Sequence, residues 1–257
     1  MSTTSFYARI ARYYDSEHWD KDEDFAFYDS IVDEIGGPVL VVGSGTGRLA
    51  AQLAAQDHHV HGIEIEKAML DRATANPKVQ AVLGKTLFFH QGDALKVKLS
   101  EQFNCAIVPY NTFMHFTEED DQRKLLKRIH DGLNAGGVLL LDLPNAGEAF
   151  SAQDTETLTY ERDFIDRDTG HLVIQQSISR LDRVEQIMDV KWVYDEIDDE
   201  GRVIRTFVPV RLYYFFRREL ELLLESVGFE VEAVMGDFDG MPFEDGVPRM
   251  IFIARRK

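Results

Sequence analysis

An α/β fold with a mostly parallel sheet is predicted by three features of this sequence. Across residues 39–143, short apolar runs alternate with amphipathic stretches, the trace left by consecutive strand–helix units. The runs are too short for helices, and most lack polar alternation, as strands do when helices cover both of their faces. After Asn145 the period changes to that of antiparallel strands joined by turns.

The elements follow in order. Residues 25–35 read as a helix stopped by Gly36-Gly37-Pro38. Strands are expected at 39–42, 59–63, 87–89, 105–108 and 138–141, with helices at 48–56, 67–74 and 118–133. Thr117 is the expected N-cap of the last helix, which ends at Asn134-Ala135-Gly136-Gly137. From 157 to 214, runs rich in Val, Ile, Tyr and Trp are separated by turn signals at 166–170 and 198–201. A helix at 217–226, with Gly228 as its stop, precedes two closing strands at 229–235 and 250–254. The whole reads as one Rossmann-type domain, 1–257, with an antiparallel β insertion between its fifth strand and its last helix. Its parts are an N-terminal cap and first helix (1–38), a ligand-binding core (39–150), the insertion (151–214) and a closing segment (215–257).

Composition narrows the function. The 257 residues are 44% hydrophobic and 28% charged, values of an ordinary globular protein. A formal charge of −17 argues against nucleic-acid partners, which need clustered Lys and Arg to displace counterions. No apolar run is long enough to span a bilayer, and the first residues lack the apolar stretch of a secretory signal. The single cysteine, Cys105, sits in an apolar run and fits a buried thiol in a reducing compartment. A cytoplasmic location is therefore expected, with monomer and homodimer both open.

The densest chemical signal is Val39-Leu40-Val41-Val42-Gly43-Ser44-Gly45-Thr46-Gly47-Arg48, a buried strand running into a glycine-rich turn and then a helix. Glycines there permit positive φ and close backbone approach, and amides at the helix start meet a ligand's polar groups. A dinucleotide fingerprint calls for a third glycine where Arg48 stands, so the G-x-G-x-G spacing weakens a nicotinamide-dependent oxidoreductase without removing it as the alternative. Glu64, about 17 residues beyond the loop, ends the second strand, where a carboxylate accepts from both hydroxyls of a ribose. Asp93, after the third strand, places an acceptor at the sheet edge. His58, His59 and His61 flank or occupy a strand whose alternation splits their directions, and no metal is expected there.

Taken together, these segments resemble the class I methyltransferases that use S-adenosylmethionine. The resemblance implies that Gly43, Ser44, Gly45 and Gly47 form the first cofactor motif and that Glu64 holds the ribose. It further implies that Ile65 and Met69 bed the adenine, Asp93 and Ala94 contact it, and Pro109 and Tyr110 complete the cofactor site. A narrower likeness is to small-molecule N-methyltransferases of the glycine and amino-sugar types. It rests on Tyr13-Tyr14-Asp15, Asn111-Thr112-Phe113-Met114-His115-Phe116, Arg211-Leu212-Tyr213-Tyr214 and Gly236-Asp237-Phe238. That likeness implies Tyr14 beside the cofactor and the transferred methyl, with Asn111, His115, Arg211 and Tyr214 toward a small-molecule acceptor. Where the glycine enzyme has a carboxylate-binding arginine after the fifth strand, this chain reads Leu143-Pro144-Asn145, so glycine itself is not the expected acceptor.

Methyl transfer from a sulfonium is an in-line displacement that needs alignment and exclusion of water rather than a metal. An amine must be neutral to attack, and His115 is the candidate base. Structural readings compete at each position: a packed histidine for His115, cross-strand packing for Tyr214, a salt bridge for Arg211, a turn for Asn111. An amine is expected ahead of a hydroxyl. A protein that holds the cofactor without turnover is the remaining alternative.

Overall fold

The computed structural model describes residues 5–147 and 155–257. Two sheets organise it. The larger has seven strands: β1 (Val39–Val42), β2 (Val60–Glu64), β3 (Leu87–Gln91), β4 (Phe103–Val108), β5 (Leu133–Pro144), β10 (Phe229–Met235) and β11 (Arg249–Arg256). Their spatial order is β10-β11-β5-β4-β1-β2-β3. β1 to β5 run parallel, and β11 joins β5 antiparallel. The smaller sheet is antiparallel: β6 (Thr155–Ile165), β7 (Leu172–Asp182), β8 (Ile187–Ile197) and β9 (Val203–Tyr213). The expected mostly parallel sheet and the insertion after the fifth strand are thus both present; the 150/151 boundary lies outside the described residues.

Every residue of β1 is buried because the sheet is covered on both sides. Val39 and Val41 pack with Val32, Leu49 and Leu53 on one face, and Leu40 and Val42 with Leu125, Leu139 and Leu141 on the other. The covering helices are α2 (Phe25–Ile35), α3 (Arg48–Ala55), α4 (Lys67–Ala75), α5 (Pro77–Val82), α6 (Glu119–Gly132) and α7 (Arg217–Ser226).

Two local expectations are corrected. Helix α6 is capped by Glu118 without a side-chain hydrogen bond, not by Thr117; Glu119, Asp120 and Asp121 in its first turn complement the helix dipole instead. The stretch 134–137 does not end before the strand but is absorbed into β5, whose pairing with β4 shifts register between Phe103 and Cys105. Gly136 at φ 75° provides the irregularity.

The N-terminal segment forms a helix, α1 (Phe6–Glu17), with Ser5 accepting from the Ala8 amide at 3.2 Å. One side of α1 is fastened to the smaller sheet. Tyr13 stacks on Tyr194 at 5.2 Å, its hydroxyl donates to Glu196 at 3.0 Å, and Arg12 pairs with Glu196 at 2.6 Å. From the larger domain, Arg72 of α4 bridges Asp15 of α1 at 2.9 Å and Asp168 of the β6–β7 turn at 2.8 Å.

Candidate functional site

A cavity of about 350 Å³ opens at the carboxyl ends of β1 to β4, beside the point where strand order reverses around β1. Its floor is the turn after β1. Gly43, Gly45 and Gly47 take φ values of 71°, 57° and 81°, which side-chain-bearing residues rarely adopt. At Gly43 a Cβ would lie 2.4 Å from Thr112, so the missing side chain lets the next strand's loop close against this one. Gly47 does not line the cavity; it is the left-handed N-cap of α3, packed against Phe89 and Val79.

Glu64 forms the opposite wall, and its buried carboxylate is fixed from both sides. Oε2 accepts from the Gly45 amide and Oε1 from the Glu66 amide, each at 2.8 Å. Burial raises its pKa, while those amides and that of Ile65 oppose the rise. Each oxygen keeps a further lone pair for a ligand hydroxyl. The buried Ser44 hydroxyl has no hydrogen-bond partner, an orphan that a polar ligand would satisfy. Ile65 is exposed into the cavity and Met69 is buried beneath it, an apolar bed. Asp93 and Ala94 line the rim; Asp93 is held below the usual carboxylate range by Lys96, 2.8 Å away.

Pro109 and Tyr110 line the cavity from the end of β4, where Tyr110 and Asn111 both adopt positive φ, 45° and 65°. This strain is imposed from beneath. The fully buried Asp142 carboxylate accepts from the Tyr110 amide at 2.9 Å and from Arg249 Nε at 2.8 Å, and Arg249 also donates to Asn111 Oδ1 at 3.0 Å.

The fourth wall comes from α1. Tyr7 and Tyr14, seven residues apart and so on one helix face, meet edge-to-face, and the Tyr7 hydroxyl lies 2.9 Å from His115 Nε2. Tyr14 stacks on His18, which meets the edge of Tyr110. Burial lowers the His115 pKa to about 4, so its ring is neutral at pH 7, and its Nε2 shares the hydrogen bond with the Tyr7 hydroxyl. Tyr7 escaped the sequence reading, although its spacing from Tyr14 was the available signal.

A second cavity of about 200 Å³ lies between the smaller sheet and the larger domain. Asn111 and Met114 line it from the Thr112–His115 turn, so one turn separates the two cavities. Its walls are mostly apolar, including Leu143, Met188, Trp192 and Phe215, with Ser177, Ser179 and Glu161 as polar groups. The Ser177 hydroxyl donates to Glu161. Tyr214 lines this second cavity rather than the first. Arg211 lines neither, since strand alternation turns it to the exposed face, where it pairs with Asp189 at 3.0 Å. No Lys or Arg appears among the described residues lining the second cavity.

Residues 39–137 match a family model described as a methyltransferase domain, the stretch that supplies the glycine turn, Glu64 and Asp93. The chain thus carries a methyltransferase domain across these residues and is an S-adenosylmethionine-dependent enzyme.

Along most of its length this methyltransferase is also similar to a putative methyltransferase of Geobacillus sp. (strain WCH70), 25% identical over 85% of this chain and 84% of that one. Its fold is similar to that of an amino pentose methyltransferase of Micromonospora echinaspora, solved with S-adenosylmethionine bound. There the TM-score is 0.69 at 20% identity, covering 94% of each chain. It is likewise similar to a sugar N-methyltransferase of Streptoalloteichus sp., with a TM-score of 0.71 at 20% identity over 94% of this chain and 90% of that one. The nicotinamide alternative falls with these matches, and the cofactor of the methyltransferase is S-adenosylmethionine. No described helix is long and apolar enough to cross a membrane.

Proposed function

We propose that this methyltransferase acts on a small molecule, an amine in preference to a hydroxyl, seated in the second cavity. The observation that carries this is the single turn Thr112–His115 with its N-cap Asn111: His115 faces the first cavity, and Asn111 and Met114 face the other. S-adenosylmethionine supplies an electrophilic methyl group when bound. Gly43, Ser44 and Gly45 would hold it through backbone and hydroxyl, Glu64 through the ribose, Ile65, Met69, Asp93 and Ala94 around the adenine, with Pro109, Tyr110 and Tyr14 closing the site.

On the acceptor side, Glu161 is a carboxylate in a wall whose described residues include no Lys or Arg, which favours a basic group on an apolar body and disfavours an acidic acceptor. The two structural neighbours named for amino pentose and sugar N-methyl chemistry support the same class. Glu161 therefore takes the place in this proposal that the sequence reading gave to Arg211. Asn111 and Tyr214 contribute to shaping the acceptor cavity.

His115 and Tyr14 are the proposed catalytic residues. A ring with a pKa of about 4 is too weak a base to strip a proton from an ammonium. His115 instead fixes the Tyr7 hydroxyl and orients an amine that arrives neutral, while Tyr14 excludes water. The test is a panel of amino sugars and matched hydroxy sugars, scored by cofactor consumption. Turnover confined to the amines supports the reading. Turnover confined to hydroxy sugars, or none beside demonstrated cofactor binding, defeats it.

A further inference from the structure

At the amino ends of β2 and β4, the opposite edge of the sheet from the first cavity, histidines and a glutamate converge. Strand alternation separates His58, which turns to Asp33 at 2.8 Å, but leaves His59 and His61 on one face with ring centroids 5.0 Å apart. Glu101, in the connector before β4, reaches the same place. Its Oε1 is 2.9 Å from His61 Nε2 and its Oε2 is 3.8 Å from His59 Nδ1. One ligand atom from each of these three residues lies within 4.8 Å of the other two.

His61 is the decisive residue. It is 7% exposed, walled by Phe88 and Phe103, and its buried Nε2 makes no hydrogen bond although the carboxylate is so near. Its other nitrogen, Nδ1, lies 2.8 Å from His90 Nε2. With the proton on Nδ1 donated to His90, a bare lone pair on Nε2 faces a carboxylate oxygen. Two acceptors at that distance repel; a cation between them turns the contact into attraction.

We propose that His59 Nδ1, His61 Nε2 and the Glu101 carboxylate bind one divalent transition-metal ion of the zinc class, with His90 as the hydrogen-bond partner that sets the His61 tautomer. Two imidazoles and a carboxylate suit zinc, whereas calcium and magnesium prefer oxygen alone. Tetrahedral bonds of about 2.1 Å place ligand atoms roughly 3.4 Å apart, which the two Glu101 distances bracket. A water completes the coordination. The ion would tie the far end of the β3–β4 connector to the start of β2, while the near end of that connector, Gly92 to Ala94, lines the first cavity.

The test is titration of zinc chloride into untagged, chelator-treated full chain, followed by calorimetry and thermal melting. Expected are one equivalent bound, a raised Tm, and at least about tenfold weaker binding in His59→Ala and in Glu101→Gln. His90→Phe should weaken binding by about ten- to a hundredfold, the usual cost of losing an outer hydrogen bond. His61→Ala should abolish it, and if that variant does not fold, the two more exposed substitutions decide. Cobalt in place of zinc should give visible absorption that Glu101→Gln removes. No saturable binding, or binding indifferent to both His59→Ala and Glu101→Gln, overturns the proposal, and neither result bears on methyl transfer.

Discussion

The two sides of the proposed methyl-transfer site are built from different materials. The cofactor side is backbone: two positive-φ glycines, Gly43 and Gly45, and a carboxylate held by the amides of its own neighbourhood, all within residues 43–66. The acceptor side, and the wall between the two cavities, are made of side chains from far apart in the chain, Tyr7 on His115, Arg249 on Asp142 and Asn111, Ser177 on Glu161. A backbone site tolerates only glycine and stays nearly fixed. A side-chain site is held by packing and buried polar pairs, so its failures spread further.

Substitutions can sharpen or break that contrast. The largest effect is expected from Asp142→Ala, which strands the mostly buried Arg249 and frees the Tyr110 amide; removing one partner of a buried pair costs about 3–5 kcal/mol. Chemical denaturation would read this as a lower midpoint, and a loss under 1 kcal/mol would show that the pair does not hold the strained turn. Next is Glu64→Ala, expected to weaken S-adenosylhomocysteine binding by about 1–3 kcal/mol, with unchanged affinity by calorimetry removing Glu64 from the ligand's reach. Tyr7→Phe follows: losing one hydrogen bond worth about 0.5–1.5 kcal/mol should lower kcat several-fold and leave cofactor affinity intact. Equal loss of both would show that Tyr7 acts through cofactor binding rather than through alignment of the acceptor. Arg211→Ala, on its exposed ion pair, should change turnover and stability by less than about 1 kcal/mol.

Acidity probes the same boundary. His115 has a pKa of about 4 when folded and an ordinary value near 6.5 when unfolded, so the unfolded chain binds more protons between those limits. Its contribution to stability is whole above pH 6.5 and is lost as pH falls to about 4. Melting curves of His115→Asn should therefore decline less steeply across that window; an identical slope would contradict the buried neutral ring.

The contrast also explains what could be read in advance. Strands 39–42 and 229–235 and helices 25–35 and 217–226 were readable because burial on one face or both leaves a periodic trace. The glycine turn was readable because its chemistry is local. Helix α1 was not: its aromatic residues look like neither a strand nor an amphipathic helix until the smaller sheet is there to cover Tyr13. Nothing in the order of residues brings Asp142 to Arg249 or Glu161 to Ser177, because those meetings are made by the antiparallel pairing of β11 with β5 and of β6 with β7. Arg211 shows the converse, a residue whose neighbours in sequence are suggestive while strand alternation turns it outward.

Because the strands β6 to β9 pair as a sheet only with one another among the described residues, the ladder that carries Ser177, Ser179 and Trp192 is separate from the ladder that carries the glycine turn. On the proposed acceptor site, those three positions form a natural library for retargeting the catalyst: they can be randomised on a constant scaffold while the glycine turn is left untouched.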